Sequence, residues 1–132
     1  MVNAELKARF LSLYCMILAD GVIDNRELDT LYHIGIDNYG LSPEEITQSV
    51  KEAGTSFIIP ARLEDKVQLL YELALIAWAD EILEDSEMQL IHNYALRMGF
   101  EPENVPGITQ YLLDKAHEKV PFTTVINEIL NQ

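Results

Sequence analysis

Apolar residues return at three- and four-residue steps along most of the chain, the spacing of one face of an α-helix. Leu6, Phe10, Leu13, Tyr14 and Ile17 form the first such stripe and predict a helix from about Asn3 to Asp20, after which Gly21 supplies a turn. Leu28, Leu31, Ile34 and Ile36 mark a second helix, with Asp24 or Asn25 as its N-cap and Gly40 just past its end. Ser42-Pro43-Glu44-Glu45 opens a third, in which Ser42 caps, Pro43 takes the first helical position and Glu45 closes a capping box. The pattern breaks from Gly54 to Pro60, where Phe57, Ile58 and Ile59 are expected to pack as an apolar flap across the core. A fourth helix, about Ala61 to Asp80, is apolar nearly all round from Leu69 to Ala79, interrupted by Glu72, as a helix at the centre of a bundle must be. A fifth runs from Asp85 to Met98, Pro102 and Pro106 delimit a short turn before a sixth, and Pro121 starts a seventh that ends near Leu130. No segment alternates in the manner of a half-buried strand, so the expected class is all-α, with about seven helices.

The pattern also repeats. Ala19-Asp20-Gly21-Val22-Ile23-Asp24-Asn25-Arg26-Glu27-Leu28 returns sixty positions later as Ala79-Asp80-Glu81-Ile82-Leu83-Glu84-Asp85-Ser86-Glu87-Met88. Acids match acids at Asp20 and Asp80, Asp24 and Glu84, Glu27 and Glu87, and the likeness continues from Gly40-Leu41-Ser42-Pro43-Glu44 into Gly99-Phe100-Glu101-Pro102-Glu103. Two units, about Leu6 to Gly54 and Leu63 to Glu118, are therefore expected to face each other as a pseudo-two-fold duplicated bundle within a single domain.

Composition narrows the function more than the fold. At 132 residues the chain is long enough to bury roughly two thirds of its unfolded surface without metal or disulfide staples. Twenty-two acids against nine Lys and Arg leave a net charge of -13, which repels nucleic acid and anionic lipid and favours cations or a basic protein surface. The single Cys15 has no partner for an internal disulfide, and its apolar neighbours predict a buried, inert thiol in a reducing compartment. Met1 to Phe10 lacks the layout of a signal peptide, and the eleven residues from Leu69 to Ala79 are too few to span a bilayer, so a soluble cytoplasmic protein is expected.

The repeated acids are the candidate chemistry. Asp20-Gly21-Val22-Ile23-Asp24 with Glu27 matches the second half of an EF-hand loop, but the first-half ligand positions fall on Met16 and Leu18, and on Ile76 and Trp78 in the second copy. None of these offers a side-chain oxygen, which excludes an EF-hand. Another geometry remains, in which Asp20, Asp24, Glu27, Asp80, Glu84 and Glu87 converge on one side of the bundle. Six carboxylates together need a cation, a nearby Lys or Arg, or raised pKa values, and an all-oxygen set selects Ca²⁺ or Mg²⁺ over Zn²⁺. The competing reading is structural: Asp24 and Glu27 form a capping box, Asp85 caps the fifth helix and Asp20 accepts backbone hydrogen bonds in its turn.

At these same residues the chain resembles the TerB-like family, named for a tellurite-resistance protein, whose mark is two helical halves each with an Ala-Asp-Gly-x-Ile-x-x-x-Glu-like turn. The likeness runs from about Phe10 to Phe100 and departs at Glu81, where the second copy loses its glycine. It implies a cytoplasmic all-helical bundle, a stress-response role, and an acidic patch that binds divalent cations or a partner. Related domains are similar to the acidic helical module beside the co-chaperone DjlA, which implies an adaptor or scaffold as the alternative. His33, His92 and His117 stand apart from one another at no metal spacing, and no nucleophile, oxyanion hole or phosphate loop accompanies the acids, so no enzyme is expected. Trp78 is expected to pack between the two halves.

Overall fold

The computed structural model describes residues 3–18, 24–52 and 58–131, and every regular element among them is a helix. In chain order these are α1 (Ala4–Ile17), α2 (Asn25–Tyr39), α3 (Pro43–Glu52), α4 (Leu63–Ala77), α5 (Asp85–Arg97), α6 (Val105–His117) and α7 (Phe122–Leu130). Among the described residues no helix is long and apolar enough to cross a membrane.

Local signals account for most of the boundaries. Asn3 Oδ1 accepts the Leu6 N–H at 2.8 Å and starts α1. Asp24 is the N-cap of α2, and Gly40 closes that helix in the left-handed region at φ 65°, where a side chain would be strained. The third helix opens on a reciprocal box: Glu45 N–H donates to Ser42 Oγ at 3.2 Å and Ser42 N–H donates to Glu45 Oε1 at 3.0 Å.

Several features differ from the sequence reading, and α1 already ends at Ile17 rather than near Asp20. The fourth helix spans Leu63–Ala77, with Trp78 to Asp80 in a turn, because Ala79 and Glu81 donate backward over three residues to Ile76 and Trp78. Pro106 lies inside the first turn of α6 rather than before it, a place where a helix N–H has no intrahelical partner to lose. The apolar flap does not form as expected: Ile58 and Ile59 are 37% and 50% exposed, while Phe57 lies outside the described residues.

The middle helix organises the rest, since α4 touches α1, α2, α5, α6 and α7. Leu70, Leu73, Ala74, Ile76 and Ala77 are fully buried and join Phe10, Leu13, Ile91 and Leu112 in one continuous core. Each buried aliphatic side chain contributes about 1.5 to 3 kcal/mol. Close approach of α2 to its neighbours uses Gly35, where an added Cβ would stand 2.4 Å from Ile46 Cδ1. At the far end the Tyr71 hydroxyl donates to the Val120 carbonyl and ties the α6–α7 corner to the centre.

One charge sits in the middle of this apolar helix. Glu72 is 1% exposed and Arg9, from α1, is 7% exposed, with Nη1 3.0 Å from Glu72 Oε1. Tyr39 OH at 2.9 Å, Asn38 Nδ2 at 3.1 Å and Gln68 Nε2 at 3.3 Å donate to Oε2, while Arg9 Nη2 donates to the Asp65 carbonyl at 3.1 Å. Burial pushes the Glu72 pKa up and Arg9 pulls against that; burial and then the Glu72 charge push the Tyr39 phenol up. Loss of either ion leaves the other buried and uncompensated. Arg9→Met and Glu72→Met should each cost about 3 to 5 kcal/mol in denaturant unfolding, whereas the double variant loses clearly less than the two added together. Strictly additive losses would show that the two side chains act separately.

Candidate acidic site

Two loops bring carboxylates to one place. Asp24 and Glu27 come from the start of α2, and Asp80 comes from the turn between α4 and α5. One oxygen of each lies within 4.8 Å of the others, with Glu27 buried and Asp24 and Asp80 half-buried. Two ligand oxygens on one Ca²⁺ can stand no farther apart than twice the metal–oxygen distance, about 4.8 Å, so the three oxygens are close enough to share an ion of that size.

Each acid has a local reason for its position. Asp24 Oδ1 accepts the Arg26 N–H at 2.8 Å as it caps α2, and the helix dipole favours negative charge for both Asp24 and Glu27 in that first turn. Asp80 Oδ1 accepts the Ile82 N–H at 3.0 Å, which fixes its carboxylate across a two-residue turn. The residue between them, Glu81, holds φ 65°. This is the position matched by Gly21 in the first copy, and an L side chain there costs about 1 to 2 kcal/mol.

The remaining candidates are placed differently. Glu84 and Glu87 form a capping box on α5, with Glu84 N–H donating to Glu87 Oε1 at 2.9 Å, so Glu84 rather than Asp85 is the N-cap. Asp85 is the first residue of the helix instead. Asp20 lies outside the described residues. The structure therefore groups Asp24, Glu27 and Asp80, and gives Glu84 and Glu87 work at a helix terminus.

A cation already stands beside the group. Arg26 Nη2 is 3.2 Å from Asp24 Oδ2 and Nε is 3.3 Å from Oδ1. Its hydrogen bonds hold the Asp24 carboxyl below the usual carboxylate range, and Asp24, Asp80 and Glu81 together raise the guanidinium pKa. Sequence reasoning passed over Arg26, although the signal was present: a basic residue inside the acidic motif where the second copy has Ser86.

Trp78 caps the C-terminal end of α4 and packs on α6, donating from Nε1 to the Leu113 carbonyl at 2.9 Å and stacking on His117 at 4.2 Å. His117 Nε2 is also 3.7 Å from Glu81 Oε2, so α6 braces the turn that presents Asp80. Cys15 is half-buried rather than fully enclosed, and burial pushes its thiol pKa up, which keeps the sulfur protonated and a weak nucleophile.

The strain at Glu81 yields a direct test. Glu81→Gly should raise stability by about 0.5 to 1 kcal/mol in thermal or denaturant unfolding, because relief of the left-handed conformation exceeds the entropy that glycine adds to the unfolded chain. An unchanged or lower midpoint would mean that the contact with His117 outweighs the backbone strain. Set against known proteins, the chain matches no family model, no curated protein and no solved structure.

Proposed function

We propose that this chain is a non-enzymatic, TerB-like helical module of the cytoplasm, with a stress-response role of the tellurite-resistance kind, that binds a divalent cation through its acidic loops. The observation that supports this most is the meeting of Asp24, Glu27 and Asp80, drawn from opposite halves of the chain, within 4.8 Å. Carboxylate oxygens suit Ca²⁺ or Mg²⁺. Backbone carbonyls and water would complete the shell. The ion would displace the Arg26 guanidinium from Asp24 and tie the start of α2 to the turn after α4. A basic protein surface is the other cation such a patch accepts, and the net charge of -13 favours either over nucleic acid.

A second reading has its own support. Asp24 is already paired with Arg26, and Glu84 and Glu87 are engaged at the start of α5, so the acids serve as caps in an adaptor-like scaffold that needs no metal. The two readings part in one experiment. Thermal unfolding is followed in EDTA and in millimolar Ca²⁺ or Mg²⁺ for the native chain and for Asp24→Asn with Asp80→Asn. The cation reading expects the native midpoint to rise, by about 2.7 kcal/mol of added stability at a hundredfold excess over the dissociation constant, and the variant to stay unmoved. The scaffold reading expects no response from either and a variant close to the native stability, because Asn caps a helix as well as Asp does, with Asp24→Ala the change that lowers the midpoint.

A further inference from the structure

Among the described residues, Gln68 and Leu75 on one face of α4, continued by Trp78 and Ala79 in the turn after it, form a half-buried strip. That strip floors two adjoining cavities, of ≈ 350 Å³ between α2 and the end of α6 and ≈ 200 Å³ at the α6–α7 corner, which share Asn38, Leu75 and Lys119. Gln68 to the end of α4 at Ala77 spans about 14 Å along the helix axis. The furrow is thus a slot between helices with a helical ridge for a floor, the shape that accepts another helix.

Its rim carries charge of one dominant sign at one end. Asp37 on α2 and Glu81 on the turn line the larger cavity with side chains 69% and 64% exposed. The other titratable groups lining it are His33 and Lys119. His33 lies 4.0 Å from Asp37 on its own helix, while Lys119, held in the left-handed region at φ 58°, stands where the two cavities meet. An acidic segment would meet like charge at the rim and across a chain of net charge -13, whereas a basic one is attracted over both ranges.

We propose that this furrow docks a basic amphipathic helix of a partner protein. Its apolar face covers Leu75 and Trp78, and Lys or Arg side chains on its flanks meet Asp37 and Glu81. The inference rests on the groove and its rim, independently of whether an ion binds at Asp24, Glu27 and Asp80.

The test uses the whole chain, whose one tryptophan is Trp78 on the groove floor. The probe is a synthetic peptide of about 14 residues with leucines on one helical face and lysines on its flanks, long enough to cover three turns. Trp78 emission should shift saturably with this peptide, and a scrambled peptide of the same composition should bind at least about tenfold more weakly. Asp37→Lys with Glu81→Lys should weaken binding roughly tenfold or more, while Glu101→Lys with Glu103→Lys, an equal change in net charge outside the groove, should leave it within about twofold. Circular dichroism confirms that both variants stay folded. The proposal is overturned by equal binding of the scrambled peptide, by equal losses in the two double variants, or by no shift of Trp78 emission at millimolar peptide.

Discussion

A buried carboxylate in the centre of an apolar helix constrains everything packed around it. Glu72 needs Arg9 from α1 and the donors Asn38 and Tyr39 from α2, so three helices must meet in one register for the charge to be tolerated. Apolar contacts accept many small shifts of one helix past another, whereas a carboxylate with donors at 2.9 to 3.1 Å accepts very few. The register so imposed places the C-terminal half of α2 against α4. Among the described residues it also leaves Gln68, Leu75, Trp78 and Ala79 half-buried, since Asn38 and Tyr39 reach Glu72 from one side of α4 while Tyr71 is held at the α6–α7 corner from another.

At the opposite end of α2 the same helix presents Asp24 and Glu27, and here the balance of charge is open rather than closed. Three carboxylates crowd together, and Arg26 neutralises one of them from an exposed position where solvent screening leaves an ion pair little strength. A guanidinium that weakly held is displaceable by a divalent ion. Glu72 and Arg9 make the contrast: their pair is sealed, so it specifies packing and offers nothing to solvent.

Much of this was legible in the sequence, and the reasons differ by element. Helix positions follow from the three- and four-residue spacing, and the caps at Asp24 and Ser42 follow from residue type, because both are local properties. The end of α4 was not legible, since Trp78 and Ala79 continue the apolar pattern while the chain is already turning through Glu81. Glu72 appeared only as an interruption, because its partners Arg9, Asn38 and Tyr39 are remote in sequence and no periodicity announces them. The acids matched as a repeat, yet repetition does not report use. Arg26 against Ser86 and Gly21 against Glu81 make the two loops chemically unequal, and only Asp80 of the second loop joins the first.

The turn from Trp78 to Glu81 is where these features converge. Trp78 forms the floor of the groove, Asp80 faces the acids of α2, and Glu81 stands on the groove rim in a strained backbone conformation. Trp78 and Glu81 are fixed by contacts to α6, the indole on Leu113 and His117 and the carboxylate on His117, while Asp80 is held by the Ile82 N–H of its own turn. A strained residue persists only when its surroundings hold it, and here α6 supplies the holding contacts. The turn is the part of the second acidic loop shared by both surfaces. An ion drawn to Asp80 and a segment drawn to Glu81 would act on one short stretch of backbone.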